Sequence, residues 1–219
     1  MNHLIVISTP DFFHSEILLI HQLFQNGLTR LHLRKPNCSF AEMENFICEI
    51  NAKYYPFVSL HSHLQLAEKY KLGGIHKTSY NFKEFSEKNN FFGRKTASTH
   101  TFEECEKELQ YSDYVFLSPI FDSISKEKYC STFKEEDLTK FLSSIKKKEK
   151  IVALGGVDKN NIEKLKTIGF ENFALLGSIW KPFLETNNLS FFLKNFSVIQ
   201  KKFNKEEEKK MMFNLLNIL

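Results

Sequence analysis

The sequence predicts a (β/α)8 TIM barrel, an α/β fold in a single domain with an extra C-terminal helical tail. Three observations carry this. Short apolar, β-branched runs recur eight times along the 219 residues. Helix-length polar segments separate them, several opened by a capping pattern. The runs are nearly continuous in apolar residues, as strands covered on both faces are. Eight such units in about 200 residues suit a closed barrel. An open, doubly wound sheet is the alternative, but it calls for a glycine-rich first turn, and here the first strand runs into Ser8, Thr9 and Pro10.

Taken in order, the strand candidates are LIVIS from Leu4, LTRLHL from Leu28, YPFVSL from Tyr55, GGIH from Gly73, RKTAS from Arg94, DYVFLS from Asp113, KIVALGG from Lys150 and ENFALLGS from Glu171. Helix starts are marked where a small oxygen-bearing residue precedes glutamate by three positions: Ser39 with Glu42, Asn81 with Glu84, Thr101 with Glu104, and Thr132 with Glu135. Helical periodicity supports them. Phe40, Met43, Phe46, Ile47 and Ile50 share one face of the helix after the second strand, and Ile162, Leu165 and Gly169 mark the one after the seventh. The barrel is expected over residues 1–200. Residues 201–219, charged at first and apolar at the end, form the tail, a helix suited to pack on the barrel or on a second copy of the chain.

Composition excludes several classes of function. Thirty basic against 26 acidic residues leave a net charge of +4, too weak and too diffuse for a nucleic-acid partner. No apolar run approaches the roughly 20 residues of a membrane helix. Cys38, Cys48, Cys105 and Cys130 form neither a CxxC pair nor a zinc spacing, so a reduced, cytoplasmic protein is expected.

In a barrel, chemistry belongs at the carboxyl ends of the strands, and phosphate beside the last two. Strand seven ends in Gly155 and Gly156, and strand eight runs through Leu176 into Gly177 and Ser178. Glycine lets backbone N–H groups approach an anion, and the following helix start adds its dipole. Asp158 is placed to cap the helix after strand seven. The loop after strand six adds Ser123, Ser125 and Lys126, two hydroxyls and a cation suited to an anionic group. Strand two ends in His32, Arg34 and Lys35, strand three in His61 and His63, strand four in His76, and strand five in Ser98. Alternation puts His32 and Arg34 on one face, pointing at the mouth. His100, one residue before a helix cap, reads as structural. No carboxylate accompanies His61 and His63, so no metal site is assigned.

LHLR from Leu31, GGIH from Gly73, ASTHTFEE from Ala97, YVFLSPIFDSISK from Tyr114, VALGGVDKNNIEKL from Val152 and then ALLGSIW resemble thiamine-phosphate synthase and its relative the thiazole tautomerase. The resemblance runs in order over nearly the whole barrel. It implies a transferase of thiamine biosynthesis that couples an aminopyrimidine methyl pyrophosphate to a thiazole phosphate and releases pyrophosphate. Arg34, Lys126 and His61 would then be the catalytic residues. His32, Arg34, Lys35, His63, His76, Ser98 and Lys126 would bind the pyrimidine pyrophosphate. Ser123, Ser125, Gly155, Gly156, Leu176, Gly177 and Ser178 would bind the thiazole phosphate.

The chain also departs from the family pattern. Where the synthase carries magnesium-binding aspartates, this sequence reads Leu60, His61, Ser62, His63 and Lys77, Thr78, Ser79, Tyr80. The implied Mg2+ would therefore be held through pyrophosphate and water. Where the tautomerase uses a histidine, this chain has Ser118. Two alternatives stand beside the synthase: a tautomerase-like enzyme with a relocated histidine, and a noncatalytic barrel that binds a phosphorylated ligand. The expected partners are small phosphorylated substrates and a second copy of the chain through the tail, with neither nucleic acid nor membrane.

Overall fold

Eight parallel strands close into one barrel in sequence order, in a computed structural model that describes residues 3–121 and 133–216, with side chains to residue 205. The strands are β1 (Leu4–Ile7), β2 (Arg30–Leu33), β3 (Val58–Leu60), β4 (Gly74–Lys77), β5 (Arg94–Thr99), β6 (Tyr114–Leu117), β7 (Ile151–Ala153) and β8 (Asn172–Leu175). Leu4 of β1 pairs with Phe173 of β8 and closes the ring. Helices α1 (Glu16–Gln25), α2 (Phe40–Glu49), α3 (Gln65–Lys69), α4 (Phe82–Ser86), α5 (Phe102–Glu108), α6 (Glu135–Ser144), α7 (Ile162–Ile168) and α8 (Gly177–Thr186) follow the strands in turn, and α9 (Leu189–Leu216) is the last element of the described residues.

Alternation along the strands divides the buried residues into two sets. Val6, Leu31, Leu33, Val58, Leu60, Ile75, Val115, Leu117, Ile151, Phe173 and Leu175 face outward and share a core with the covering helices. Ile5, Ile7, Tyr114, Phe116, Val152 and Ala174 form a separate cluster inside the barrel. That inner cluster draws on β1, β6, β7 and β8. Across the barrel, β2 to β5 place His32, Ser59, His76 and Thr96 inside, all fully buried. The interior is thus apolar on one side and polar on the other, and its polar side needs internal hydrogen bonds.

The YPFVSL run does not form a strand from its start. Residues Ala52–Phe57 make a 3-10 helix, because Asn51 accepts from the Lys53 amide and Pro56 has no N–H for a sheet ladder. Ser39 and Glu42 form the expected capping box on α2, and the Thr101 hydroxyl accepts from the Glu104 amide on α5. Asn81 makes no such cap. Its amide group points inward instead and donates to the His61 and His76 carbonyls, tying together the ends of β3 and β4. Thr132 lies outside the described residues, and Lys134 precedes α6. Asp158 accepts from the Asn160 and Asn161 amides and so shapes the turn before α7, whose own N-cap is Asn161.

Helix α9 runs unbroken across residue 201. Phe192, Phe196, Ile199 and Phe203 are its buried stripe, so the packed face continues past the point where the composition changes. No described helix is long and apolar enough to cross a membrane.

Candidate functional site

The carboxyl ends of the strands surround a cavity of about 730 Å³. Its wall includes Arg34, His61, Ser98, Gly155, Gly156, Leu176, Gly177 and Ser178, all singled out in the sequence. The two glycine ends lie together there. Gly155 and Gly156 have φ of +94° and +65°, left-handed backbone that disfavours a side chain. A Cβ on Gly155 would also lie 2.8 Å from Pro119 Cα. Neither glycine amide is used in a hydrogen bond among the described residues. Beside them Gly177 opens the ten-residue α8, and the Ser178 hydroxyl in its first turn is buried without a partner. From behind, Asn195 of α9 donates to the Ser178 carbonyl at 2.8 Å and fixes that turn. Unused amides, a helix start and an unsatisfied hydroxyl converge on one spot, which is the donor set an anion takes.

Arg34 stands one residue beyond β2 and lines the same cavity. Its backbone is clamped by the Ser8 hydroxyl, which accepts from the Arg34 amide at 2.8 Å. The guanidinium forms no salt bridge among the described residues. The carboxylates in the wall are already engaged. Glu104 accepts from the His100 amide at 2.7 Å, and Glu108 pairs with Lys77 at 2.6 Å.

Below the mouth lies a histidine cluster. His76 Nδ1 is 2.7 Å from Thr96 Oγ1 and its Nε2 is 2.8 Å from Ser98 Oγ. Both ring nitrogens of His76 are thus engaged by hydroxyl groups of β5. The His61 ring stacks on His76 with centroids 4.0 Å apart, and His32 meets His61 edge-on at 5.1 Å. Burial, and next the Arg34 guanidinium, push His76 down to about 3. Burial also holds His32 and His61 well below the usual histidine range, so all three are neutral at pH 7.

Several expected site residues are placed elsewhere. Lys35 is fully buried, its ammonium 2.6 Å from Glu16 Oε2. It also donates to the Asp11 carbonyl at 2.9 Å, so it belongs to a structural ion pair between β2 and α1. His63, with φ of 53°, turns away and donates from Nε2 to the Cys38 carbonyl. His32 and His76 sit one layer beneath the mouth, roofed by His61, because alternation takes inward residues down the barrel as well as up to its rim. Ser123, Ser125 and Lys126 lie outside the described residues. The structure adds His100, Lys77, Tyr80 and Phe82 to the wall. His100 donates from Nδ1 to the Ser118 carbonyl at 2.8 Å. Its place at the end of β5 was the available signal, outweighed by its position next to a helix cap.

The ligand atoms of His32, His61 and His76 lie within 4.8 Å of one another. They do not make a magnesium site. Magnesium takes hard oxygen ligands, both nitrogens of His32 and of His76 are already hydrogen-bonded, and the two cavity-lining glutamates are engaged as described.

The chain is thus a closed (β/α)8 barrel in which the ends of the last two strands and Arg34, without a salt bridge among the described residues, line one cavity. The thiamine monophosphate synthase family model matches residues 3–179, and the chain belongs to that family. The thiamine-phosphate synthase of Dictyoglomus turgidum is 26% identical over 170 residues, 74% of each chain. The crystal structure of thiamine phosphate pyrophosphorylase from Bacteroides thetaiotaomicron is 32% identical with a TM-score of 0.79, covering 91% of this chain and 96% of that one. The Pyrococcus furiosus thiamine phosphate pyrophosphorylase, 18% identical with a TM-score of 0.74, covers 93% and 96% and shares the fold.

Proposed function

We propose that the protein is a transferase of thiamine biosynthesis that joins an aminopyrimidine methyl pyrophosphate to a thiazole phosphate and releases pyrophosphate. The observation that carries this is the shared cavity, in which the anion cradle at Gly155, Gly156, Gly177 and Ser178 faces the same space as the unpaired Arg34. Two anionic reactants need two such ends. The cradle takes the thiazole phosphate through backbone amides and the Ser178 hydroxyl. Arg34 and the imidazole of His61 take the pyrophosphate, and Ser98 contacts the pyrimidine. The family resemblance adds Lys126, Ser123 and Ser125 to the substrate contacts, all three outside the described residues.

Chemically, the carbon–oxygen bond to pyrophosphate breaks, both electrons leave with the pyrophosphate, and the resulting pyrimidine methyl cation is attacked by the thiazole nitrogen. The protein's tasks are to neutralise charge growing on the leaving group and to hold the reactants face to face. Magnesium would enter with the pyrophosphate and its waters, since both glutamates of the described cavity wall are engaged. The tautomerase alternative needs a histidine that titrates near neutral pH, whereas burial keeps His61 and His76 neutral and His100 Nδ1 is committed to Ser118.

Incubating the protein with both substrates and Mg2+ should yield thiamine phosphate and pyrophosphate in equal amounts. Arg34→Ala should lower turnover by about 10² or more, the scale for losing one charge-stabilising group. Tight binding of thiazole phosphate with no product from well-folded protein would overturn the assignment and leave a noncatalytic binder.

A further inference from the structure

The end of the barrel opposite the cavity carries a pair of arginines. Arg30 and Arg94 are the first residues of β2 and β5. Alternation turns them into the barrel on the same side as the fully buried His32 and Thr96, one layer further from the mouth. Two strands separate them, and Gly74, which pairs in register with Arg94, puts no side chain into the gap. Gly73 makes room for the Arg94 guanidinium, since a Cβ there would lie 2.4 Å from Nη2. His3, just before β1, and Tyr114, the first residue of β6, complete the layer, with ring centroids 6.0 Å apart.

This layer holds positive charge with no acid to balance it. Neither arginine forms a salt bridge among the described residues. The acid next to Tyr114, Asp113, already accepts from the Lys95 amide at 2.8 Å. The two cations act on each other: burial, and next the charge of Arg94, push Arg30 down. Both also act on His3, which burial and then Arg30 push down to about 4, and on Tyr114, which burial raises to about 12 against their pull. The Nε atoms of both arginines are buried without a partner among the described residues, which adds to the cost of the layer. Like charges held together away from bulk water destabilise a fold unless a negative partner joins them.

The groups free to meet such a partner are the outer ones. Arg30 Nη1 donates to the Thr29 carbonyl at 2.7 Å, with the guanidinium over the Phe57 ring, and Arg94 Nη2 donates to the Pro56 carbonyl at 2.5 Å. The second Nη group of each makes no hydrogen bond among the described residues, and both arginines are only half-buried, so these groups face the solvent at the foot of the barrel. Guanidinium N–H pairs match the oxygens of a tetrahedral oxyanion.

We propose that the amino-terminal end of the barrel is a second anion site, in which Arg30 and Arg94 together bind a small oxyanion of the phosphate class. The site is separate from the mouth and does not depend on the synthase reading.

The test is calorimetric titration of the full chain with inorganic phosphate at constant ionic strength, alongside thermal melting. Because phosphate also has the mouth, the titration is repeated in the double variant Arg34→Ala, Ser178→Ala. Binding should survive in that variant, and its thermal midpoint should rise by roughly 5–10 °C at a hundredfold excess of phosphate over Kd. Adding Arg30→Met or Arg94→Met to it should weaken the remaining binding by about tenfold or more. Without phosphate these variants should melt no lower than their parent, since a repulsion has been removed. No phosphate binding in the double variant overturns the proposal, and so does binding that neither arginine substitution changes. Soaking crystals of the unmodified protein with selenate gives a reading that needs no variant. An anomalous peak within hydrogen-bond distance of both guanidiniums is expected, and a peak at the mouth alone overturns the proposal. If the protein makes no thiamine phosphate but phosphate binds at Arg30 and Arg94, the synthase reading fails and this site stands.

Discussion

The Lys35 ammonium lies 2.6 Å from the Glu16 carboxylate, with both side chains essentially excluded from water. Thr9 Oγ1 donates to the same carboxylate at 3.2 Å, and Lys35 lies over the rings of Phe12 and Phe46. Burial alone would push each partner towards its neutral form, and their mutual attraction opposes this. Lys35→Met therefore strands a buried carboxylate and should lower stability by about 3–5 kcal/mol, while Lys35→Met with Glu16→Leu should recover most of that. Urea denaturation of the two variants checks it. A double variant no more stable than the single one would show that the pair is not the reason for the loss.

The buried histidines make stability depend on pH. His76 falls from 6.5 to about 3 on folding, His3 to about 4 through burial and the nearby Arg30, and His32 and His61 shift in the same direction. A group with a depressed folded pKa binds more protons in the unfolded chain. Its contribution is complete above about 6.5 and is lost as the pH falls towards the folded value. Each such histidine adds a slope of about 1.4 kcal/mol per pH unit within that window. Urea midpoints measured from pH 8 to pH 5 should be flat at first and then fall, and His76→Gln should remove one increment of slope.

Ser178→Ala should separate binding from folding. Its hydroxyl has no partner among the described residues, so the thermal midpoint should hold. Losing a hydrogen bond to a charged phosphate should weaken binding of thiazole phosphate by about 1.5–3 kcal/mol, roughly ten- to a hundredfold. Calorimetric titration reads this directly, and unchanged affinity would move the phosphate away from the head of α8.

Gly155→Ala tests the geometry of the cradle. The new Cβ would meet Pro119 Cα at 2.8 Å, and φ of +94° is strained for alanine. A loss of about 1–3 kcal/mol is expected, together with weaker phosphate binding, measured by thermal melting and titration. The φ of Gly169 is positive too, but its Cβ would meet Leu142 side-chain atoms at 3.5 Å, ordinary contact, so Gly169→Ala should suffer from backbone strain alone.

Periodicity and punctuation along the chain were enough to determine the barrel. Eight apolar runs, a capping box at Ser39 and Glu42, and glycines closing the seventh and eighth strands are local patterns, set by backbone conformation and alternation, which one chain carries by itself. That Gly155, Gly156, Gly177 and Ser178 line one cavity was legible for the same reason: they are adjacent in sequence to the strands that position them. The polar half of the site was decided by tertiary structure. Lys35 and Arg34 are neighbours in sequence, yet one is locked to Glu16 of α1 and the other faces the cavity. His61 and His63 are two apart, yet one is hydrogen-bonded to His32 and the other turns to Cys38. Depth in the barrel, and the partner that each polar group finds there, depend on residues from distant strands such as Thr96 and Tyr114. Because burial raises the penalty for an unpaired polar group, those distant partners, and not local pattern, determine which histidine carries its hydrogen at which nitrogen.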